Sequence, residues 1–135
     1  MNRAATTVVG IMLGAYLGTI LAADSAIDWA SARVVTVKMV DDKFVPDVLV
    51  FQRGIAYRLR MENDGADIHD FTAPEFFDAI TIRNPEVLER TRKDEVSLQP
   101  KEQKDLYFVA RKPGRYKLVC VNHDWDNMVG AITIE

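Results

Sequence analysis

The chain has 135 residues, of which 48% are hydrophobic and 27% charged, and its formal net charge is −3. This length suits one domain with a proper hydrophobic core after a short leader. The weakly acidic balance, with no basic stripe visible in the sequence, argues against a nucleic-acid binder. The single cysteine, Cys120, excludes an intramolecular disulfide framework and indicates a reactive thiol, an intermolecular bond or a metal ligand.

The first 23 residues have the pattern of an export signal. Arg3 is their only charge, and the apolar run that follows ends in two alanines before Asp24. This predicts a secretory signal peptide over residues 1–23 and an exported, periplasmic protein. Its removal takes away one positive charge, so the mature chain has a net charge of −4.

An uncleaved membrane anchor is the alternative for this leader. The apolar run is about 20 residues long, which is enough to span a bilayer. Its glycines also have the small-x3-small spacing of transmembrane helix contacts, at Gly10, Gly14 and Gly18. Residues 24–32 then form a tether or a disordered mature N-terminus.

From residue 33 onward the hydrophobic period is two, which is typical of β-strands. The clearest alternation places Tyr57, Leu59 and Met61 on one face and Arg58 and Arg60 on the other. Extended segments are predicted at 33–40, 48–51, 55–61, 68–73, 95–98, 106–110, 115–121 and 129–135. Turns rich in Gly, Pro and Asn separate them, so residues 33–135 are predicted to form an all-β antiparallel sandwich.

Residues 74–93 do not alternate and carry a helix-start signal. Asn84 is a suitable N-cap, and Pro85 suits the first helical position. Two ion pairs would have favourable helical spacing, Glu86 with Arg90 and Glu89 with Lys93. We therefore expect one short helix inserted between the two halves of the sandwich.

The chemistry lies close to the C-terminus, where Cys120, His123 and Met128 follow one another within nine residues. A soft thiolate, an imidazole and a thioether together suit copper, whereas zinc sites usually repeat Cys or His in pairs and rarely use Met. His69 is the only other histidine. It would complete a trigonal His2Cys site with a weak axial methionine. Since Tyr116, Leu118 and Cys120 share one strand face, the thiol is expected on the core side.

The C-terminal pattern resembles the signature of the cupredoxins, particularly plastocyanin and pseudoazurin. It consists of Tyr116-x3-Cys120-x2-His123-x4-Met128-Val-Gly after Lys112-Pro-Gly. Further upstream, four features follow in the order that this family uses: Phe44-x-Pro46, Gly54, Asn63 and His69. Over residues 33–135 the resemblance implies a Greek-key β-sandwich that holds one type 1 copper ion and usually carries single electrons.

Three positions depart from the family pattern, one directly after His69 and two in the loop after His123. Asp70 follows His69 where the family usually has Asn, and a carboxylate there predicts a lower potential or a more labile site, unless it points to solvent. Asp124 and Asp126 flank Trp125 in a loop that is typically apolar in the family. These charges favour a redox partner with a basic docking surface, and the alternative is a merely solvated loop.

Three functions follow from these observations. The first is an exported, monomeric electron carrier that exchanges electrons with redox partners through the edge of His123. The second is a periplasmic copper buffer or chaperone whose redox activity is incidental. The third is a metal-free interaction module. An enzyme is not expected, because a closed four-ligand site offers no open coordination position, and membrane contact is expected only if the leader is uncleaved.

Overall fold

A computed structural model describes residues 26–126 and 128–135, and at 124–126 it describes the backbone alone. The predicted signal peptide at residues 1–23, with its alternative as an anchor, lies outside the described residues. Within them, no helix has the length and apolar character that a membrane span requires.

The described chain forms two five-stranded sheets. Its strands are β1 (Arg33–Val40), β2 (Lys43–Val45), β3 (Val48–Phe51), β4 (Ala56–Asn63), β5 (His69–Thr72), β6 (Ile80–Ile82), β7 (Glu95–Leu98), β8 (Gln103–Ala110), β9 (Gly114–Val119) and β10 (Val129–Ile134). The first sheet has the order β2-β1-β4-β8-β6, and the second has the order β3-β10-β9-β5-β7. The predicted all-β sandwich is therefore confirmed.

Strand pairing is not wholly antiparallel. β1 pairs with β4 and β3 pairs with β10 in parallel, while the other pairs are antiparallel. The parallel β1–β4 pair arises because the chain leaves the first sheet after β2, adds β3 to the second sheet and then returns as β4. A parallel pair requires such a crossover, which local alternation in the sequence does not reveal.

The core lies between the sheets and follows the predicted alternation. In β4, Tyr57, Leu59 and Met61 are at most 4% exposed. Aromatic rings fill the middle of the sandwich, with the Phe51 centroid 5.0 Å from that of Phe108 and 4.8 Å from that of Tyr57. In and after β9, Leu118 and Cys120 are buried as expected, which brings the thiol to the end of this core.

The helix is present but is not where the sequence pattern placed it. The α-helix, α1, covers Pro74–Phe77, and Phe76 and Phe77 are its buried anchors. At the predicted start, Pro85–Val87 makes a single 3₁₀ turn that ends at extended Leu88. The pairs Glu86–Arg90 and Glu89–Lys93 therefore lack the helical spacing on which they depended.

The physical reason is the use that the fold makes of Asn84. Its side-chain amide donates to the Asp105 carbonyl at 2.8 Å and accepts from the Tyr107 amide at 2.8 Å. The side chain thus extends the pairing of β8 instead of capping a helix. Tertiary contacts have overridden a local helix-start signal.

Candidate metal centre

The four predicted ligands come from two parts of the second sheet. His69 is the first residue of β5, whereas Cys120, His123 and Met128 lie in the connection between β9 and β10. His69 is 1% exposed, and Cys120 and Met128 are fully buried. The His123 side chain is 15% exposed, so its ring reaches the surface.

Three of these residues aim their donor atoms at a common point. The Cys120 Sγ atom lies 3.8 Å from His69 Nδ1 and 3.5 Å from His123 Nδ1. One donor atom from each of the three residues lies within 4.8 Å of the other two. Such converging donors, two imidazoles and one thiol, form a candidate metal centre.

Backbone hydrogen bonds hold the β9–β10 connection in a closed ring. The Cys120 amide donates to the Met128 carbonyl at 3.1 Å, the Met128 amide to the His123 carbonyl at 3.2 Å, and the His123 amide to the Cys120 carbonyl at 3.1 Å. The three residues that the sequence grouped by spacing are therefore joined directly. β9 and β10 pair with each other beyond the ring and fix both of its ends.

Burial sets the protonation of the metal-free cluster. Loss of solvent raises the pKa of the Cys120 thiol, although the Asp70 amide donates to its sulfur at 3.3 Å and opposes this effect. Burial, and secondarily the charge of nearby His123, lowers the pKa of His69. At neutral pH the metal-free site therefore holds a protonated thiol and a neutral His69 imidazole.

Asn63 and Gly65 build the turn that precedes His69. The buried Asn63 amide donates to the Asp67 carbonyl at 2.8 Å and to the Leu98 carbonyl at 3.0 Å, and its oxygen accepts from the Gly65 amide at 2.9 Å. A Cβ atom at Gly65 would lie 2.7 Å from His69 Nε2. Only glycine lets this turn pass the imidazole without moving it.

Asp70 ties β5 to the Cys120 loop. It is 5% exposed, and its carboxylate accepts a 2.5 Å hydrogen bond from the side-chain amide of Asn122. The alternative that Asp70 points to solvent is therefore wrong. Asp70 directly follows His69, and Asn122 lies two residues after Cys120. Their hydrogen bond therefore connects the chain segments that carry the two ligands.

Asp67 lies at the outer edge of His123. Its carboxylate is 79% exposed and lies 4.0 Å from His123 Nε2, on the side of the ring that faces away from Cys120. The side chains of Asp124, Trp125 and Asp126 lie outside the description, so the predicted acidic character of this rim rests here on Asp67.

The donor set fits one type 1 copper ion. Sulfur and nitrogen donors bonded to one ion at about 2.0–2.3 Å lie no more than about 4.3 Å apart. Both sulfur–nitrogen distances, 3.8 and 3.5 Å, meet that limit. The set comprises two imidazoles, one thiolate and the thioether of Met128, which shares the β9–β10 connection with Cys120 and His123. It matches the blue-copper donor set better than a zinc set.

Sequence reasoning did not identify Asn122, Asp67 or Gly65 as parts of this site. Asn122 had one available signal, because an amide between Cys120 and His123 complements the unusual acid at Asp70. Asp67 and Gly65 had none, because their roles depend on the path of the turn before His69. The Asp70–Asn122 and Asp67–His123 contacts join residues that are far apart in the sequence, so local patterns do not predict them.

A β-sandwich with a His2Cys donor cluster at one end defines a class of copper-binding domain. Comparison with family models agrees, since the cupredoxin-like domain matches residues 10–134. The chain therefore belongs to the cupredoxin-like family. No curated protein sequence matches it.

Solved structures of similar fold include three auracyanins. Auracyanin from the photosynthetic bacterium Roseiflexus castenholzii has a TM-score of 0.56 at 17% identity, covering 77% of this chain and 98% of its own. Auracyanin A, a "blue" copper protein from Chloroflexus aurantiacus, scores 0.55 at 15% identity, covering 76% and 98%. Auracyanin B scores 0.54 at 17% identity, covering 77% and 89%. At these identities the likeness demonstrates the shared fold.

Proposed function

We propose that this chain is an exported type 1 copper protein that carries single electrons between redox partners. His69, Cys120 and His123 would be the equatorial ligands, and Met128 would be the weak axial ligand. The observation that carries the proposal is the convergence of two imidazoles and one thiol, within 4.8 Å of one another, where β5 meets the β9–β10 connection of a cupredoxin-like fold. Copper bound there would supply a one-electron couple.

The surrounding chain would keep the donors in place during electron exchange. The hydrogen-bond ring of the β9–β10 connection and the Asp70–Asn122 pair restrain the loop independently of the metal. A rigid donor set limits the rearrangement that accompanies a change of charge, which favours fast exchange. His123 is the partly exposed candidate ligand, so its edge is the proposed route for electrons.

The axial assignment can be tested with a matched pair of variants. Met128→Leu replaces the thioether with a side chain of similar volume and should raise the reduction potential by about 60 mV. For a one-electron couple this shift is a tenfold change in the equilibrium constant of reduction. Met61→Leu makes the same change at a fully buried position in β4 and should leave the potential unchanged. Equal potentials in the two variants would rule out Met128 as a ligand.

A copper-handling protein remains the second candidate, and Asp70 is the observation in its favour. A buried carboxylate within hydrogen-bond reach of the Cys120 loop adds negative charge that differs from the family pattern. Repeated reduction and re-oxidation beside a moderate chelator separates the two functions. A carrier retains its copper and exchanges electrons rapidly, whereas a chaperone loses Cu(I) to an acceptor and exchanges electrons slowly.

A further inference from the structure

The first sheet, whose strands carry none of the candidate ligands, has a basic, aromatic surface on its outer side. We call it the basic face and define it by Trp29, Arg58, Arg60, Arg83 and Tyr107. Arg58 and Arg60 project from β4, opposite Tyr107 and Asp105 of β8. The Trp29 ring packs edge-on against Tyr107 with centroids 6.3 Å apart.

This surface has more positive than negative charge. Asp105 accepts from Arg58 at 2.6 Å and lies 3.4 Å from Arg60, so two guanidinium groups share one carboxylate. Arg83 lies over the Trp29 ring at 5.2 Å and over the Tyr107 ring at 5.7 Å. Among the ion pairs of residues 26–126 and 128–135, none involves Arg83. The three arginines of the basic face and the neighbouring Asp105 sum to a formal charge of +2 on a chain of −3.

Apolar side chains on the same side of the sheet are exposed to solvent. Val34 of β1 is 56% exposed, and Val45 of β2 is 44% exposed. Val34 is the strand neighbour of Arg58, and Val45 is paired with exposed Lys38. Arginines, an indole ring and exposed valines on one side of the sheet combine the charge and apolar contacts that favour the interfacial region of an anionic bilayer.

The start of the described chain connects this surface to the most apolar part of the sequence. Trp29 begins a 3₁₀ turn that packs on the first sheet, six residues after the apolar run ends at Ala23. Six residues reach no farther than about 20 Å in any conformation. If that run is in a bilayer, the basic face is held near the lipid headgroups.

We propose that the basic face docks on an anionic lipid surface. The register supports this orientation, because Arg33 pairs with Tyr57 at one end of the first sheet and Met39 pairs with Asn63 at the other. The chain start is near the first end, and Asn63 leads into the turn before His69 at the second. Docking by the sheet face would leave the His123 edge free for a partner. This inference concerns the chain with its leader uncleaved and holds whether or not copper is the ligand.

The opposite side of the sandwich provides a matched control. Arg115 and Lys117 of β9 are exposed there, and β10 separates them from exposed Val48 and Val50 of β3. The two sides thus offer similar residue types, but Trp29 packs on only one of them. Removal of two positive charges from either side changes the net charge equally.

The experiment places the full 135-residue chain in vesicles of phosphatidylcholine alone or mixed with phosphatidylglycerol. Energy transfer from Trp29 to a dansyl-labelled lipid headgroup measures docking, with a Trp29→Phe variant to subtract the signal of Trp125. We expect clearly stronger transfer in the anionic vesicles and its loss at high salt. Arg60→Gln with Arg83→Gln should weaken docking about 30-fold. Arg115→Gln with Lys117→Gln should leave it unchanged.

Circular dichroism of each variant confirms that the fold is retained, and Arg83→Gln alone replaces the double variant if that one unfolds. Equal transfer in neutral and anionic vesicles would overturn the proposal. Equal losses from both pairs of substitutions would also overturn it, because the effect would then follow net charge. Either result would leave the basic face available to a protein partner instead.

Discussion

Asp70 is the residue that most distinguishes this site from the pattern of its family. Its backbone amide donates to the Cys120 sulfur at 3.3 Å, and its carboxylate accepts from Asn122 at 2.5 Å. One residue therefore contributes a donor to the thiolate and a negative charge near it. The two effects oppose each other, because a donor stabilises electron density on sulfur and a nearby anion disfavours it.

The substitution Asp70→Asn separates charge from geometry. The amide oxygen can still accept from Asn122, while the negative charge is lost, so the reduction potential should rise by about 60 mV. A redox titration of the copper-loaded protein measures this change. Glu86→Gln removes an exposed charge elsewhere and should have no effect. An unchanged potential in Asp70→Asn would mean that the carboxylate acts only as a structural acceptor.

The thiol of Cys120 should make copper binding depend on pH. Because burial raises the pKa of this thiol, the metal-free protein holds its proton at neutral pH and must release it on binding. His69, whose pKa is lowered, is already neutral there and releases none. Apparent affinity should rise about tenfold per pH unit from pH 7 towards the raised thiol pKa. Competition with a chelator of known pH dependence measures it, and a flat profile would contradict the role of Cys120.

At the scale of elements, two connections act as the frame of the site. The turn between β4 and β5 is shaped by Asn63 and Gly65, and the β9–β10 connection by its ring of backbone hydrogen bonds. The strands on either side of each connection are held by the hydrophobic core between the two sheets. This arrangement explains why buried residues can converge although 50 residues separate Asp70 from Cys120.

Gly65→Ala should disturb the copper site directly. Its Cβ atom would lie 2.7 Å from His69 Nε2, so the imidazole must move. We expect a changed absorption spectrum and weaker copper binding, with the strands retained. Gly54→Ala is the control, because its φ of +80° makes alanine strained while nothing lies within 4 Å of the new Cβ. Gly54→Ala should cost about 1 kcal/mol of stability and leave the spectrum intact, and the reverse pattern would contradict this account.

The sequence predicts the strands whose alternation follows from the burial of one face. It misses elements that form only through pairing or hydrogen bonding with distant strands. β4 and the last strand were visible because one face of each is buried. β2 and β6 have three residues each, too few for a period, and the helix-start signal at Asn84 was used for a contact with β8. For the site, donor chemistry identified the cluster, whereas the Asp70–Asn122 pair required the folded chain.

At the scale of the whole molecule, charge is distributed unevenly. The basic face carries excess arginine, while exposed Asp67 lies beside His123, which Asp124 and Asp126 follow in the sequence. A local negative potential speeds the encounter with a basic partner and is weakened by salt. The molecule would then present its basic face to a lipid surface and its His123 edge to a redox partner.

The effect of the acidic residues near His123 on partner association can be tested by kinetics across a salt series. Asp124→Asn with Asp126→Asn should lower the association rate with a basic redox partner several-fold at low salt and flatten the dependence on salt. Glu86→Gln with Glu135→Gln removes the same charge elsewhere and should have a much smaller effect. Stopped-flow reduction supplies the rates. A salt slope equal to that of the unmodified protein would exclude steering by this loop.

The most direct measurement is an optical titration of the metal-free mature protein with Cu(II). The protein should bind one equivalent of Cu(II) and develop an intense charge-transfer colour that arises from the Cys120 thiolate. Cys120→Ser keeps the size of the side chain and should abolish the colour, and circular dichroism verifies that it folds. Absence of colour in the folded unmodified protein, or colour that persists in Cys120→Ser, would show that Cys120 does not bind copper in a type 1 site.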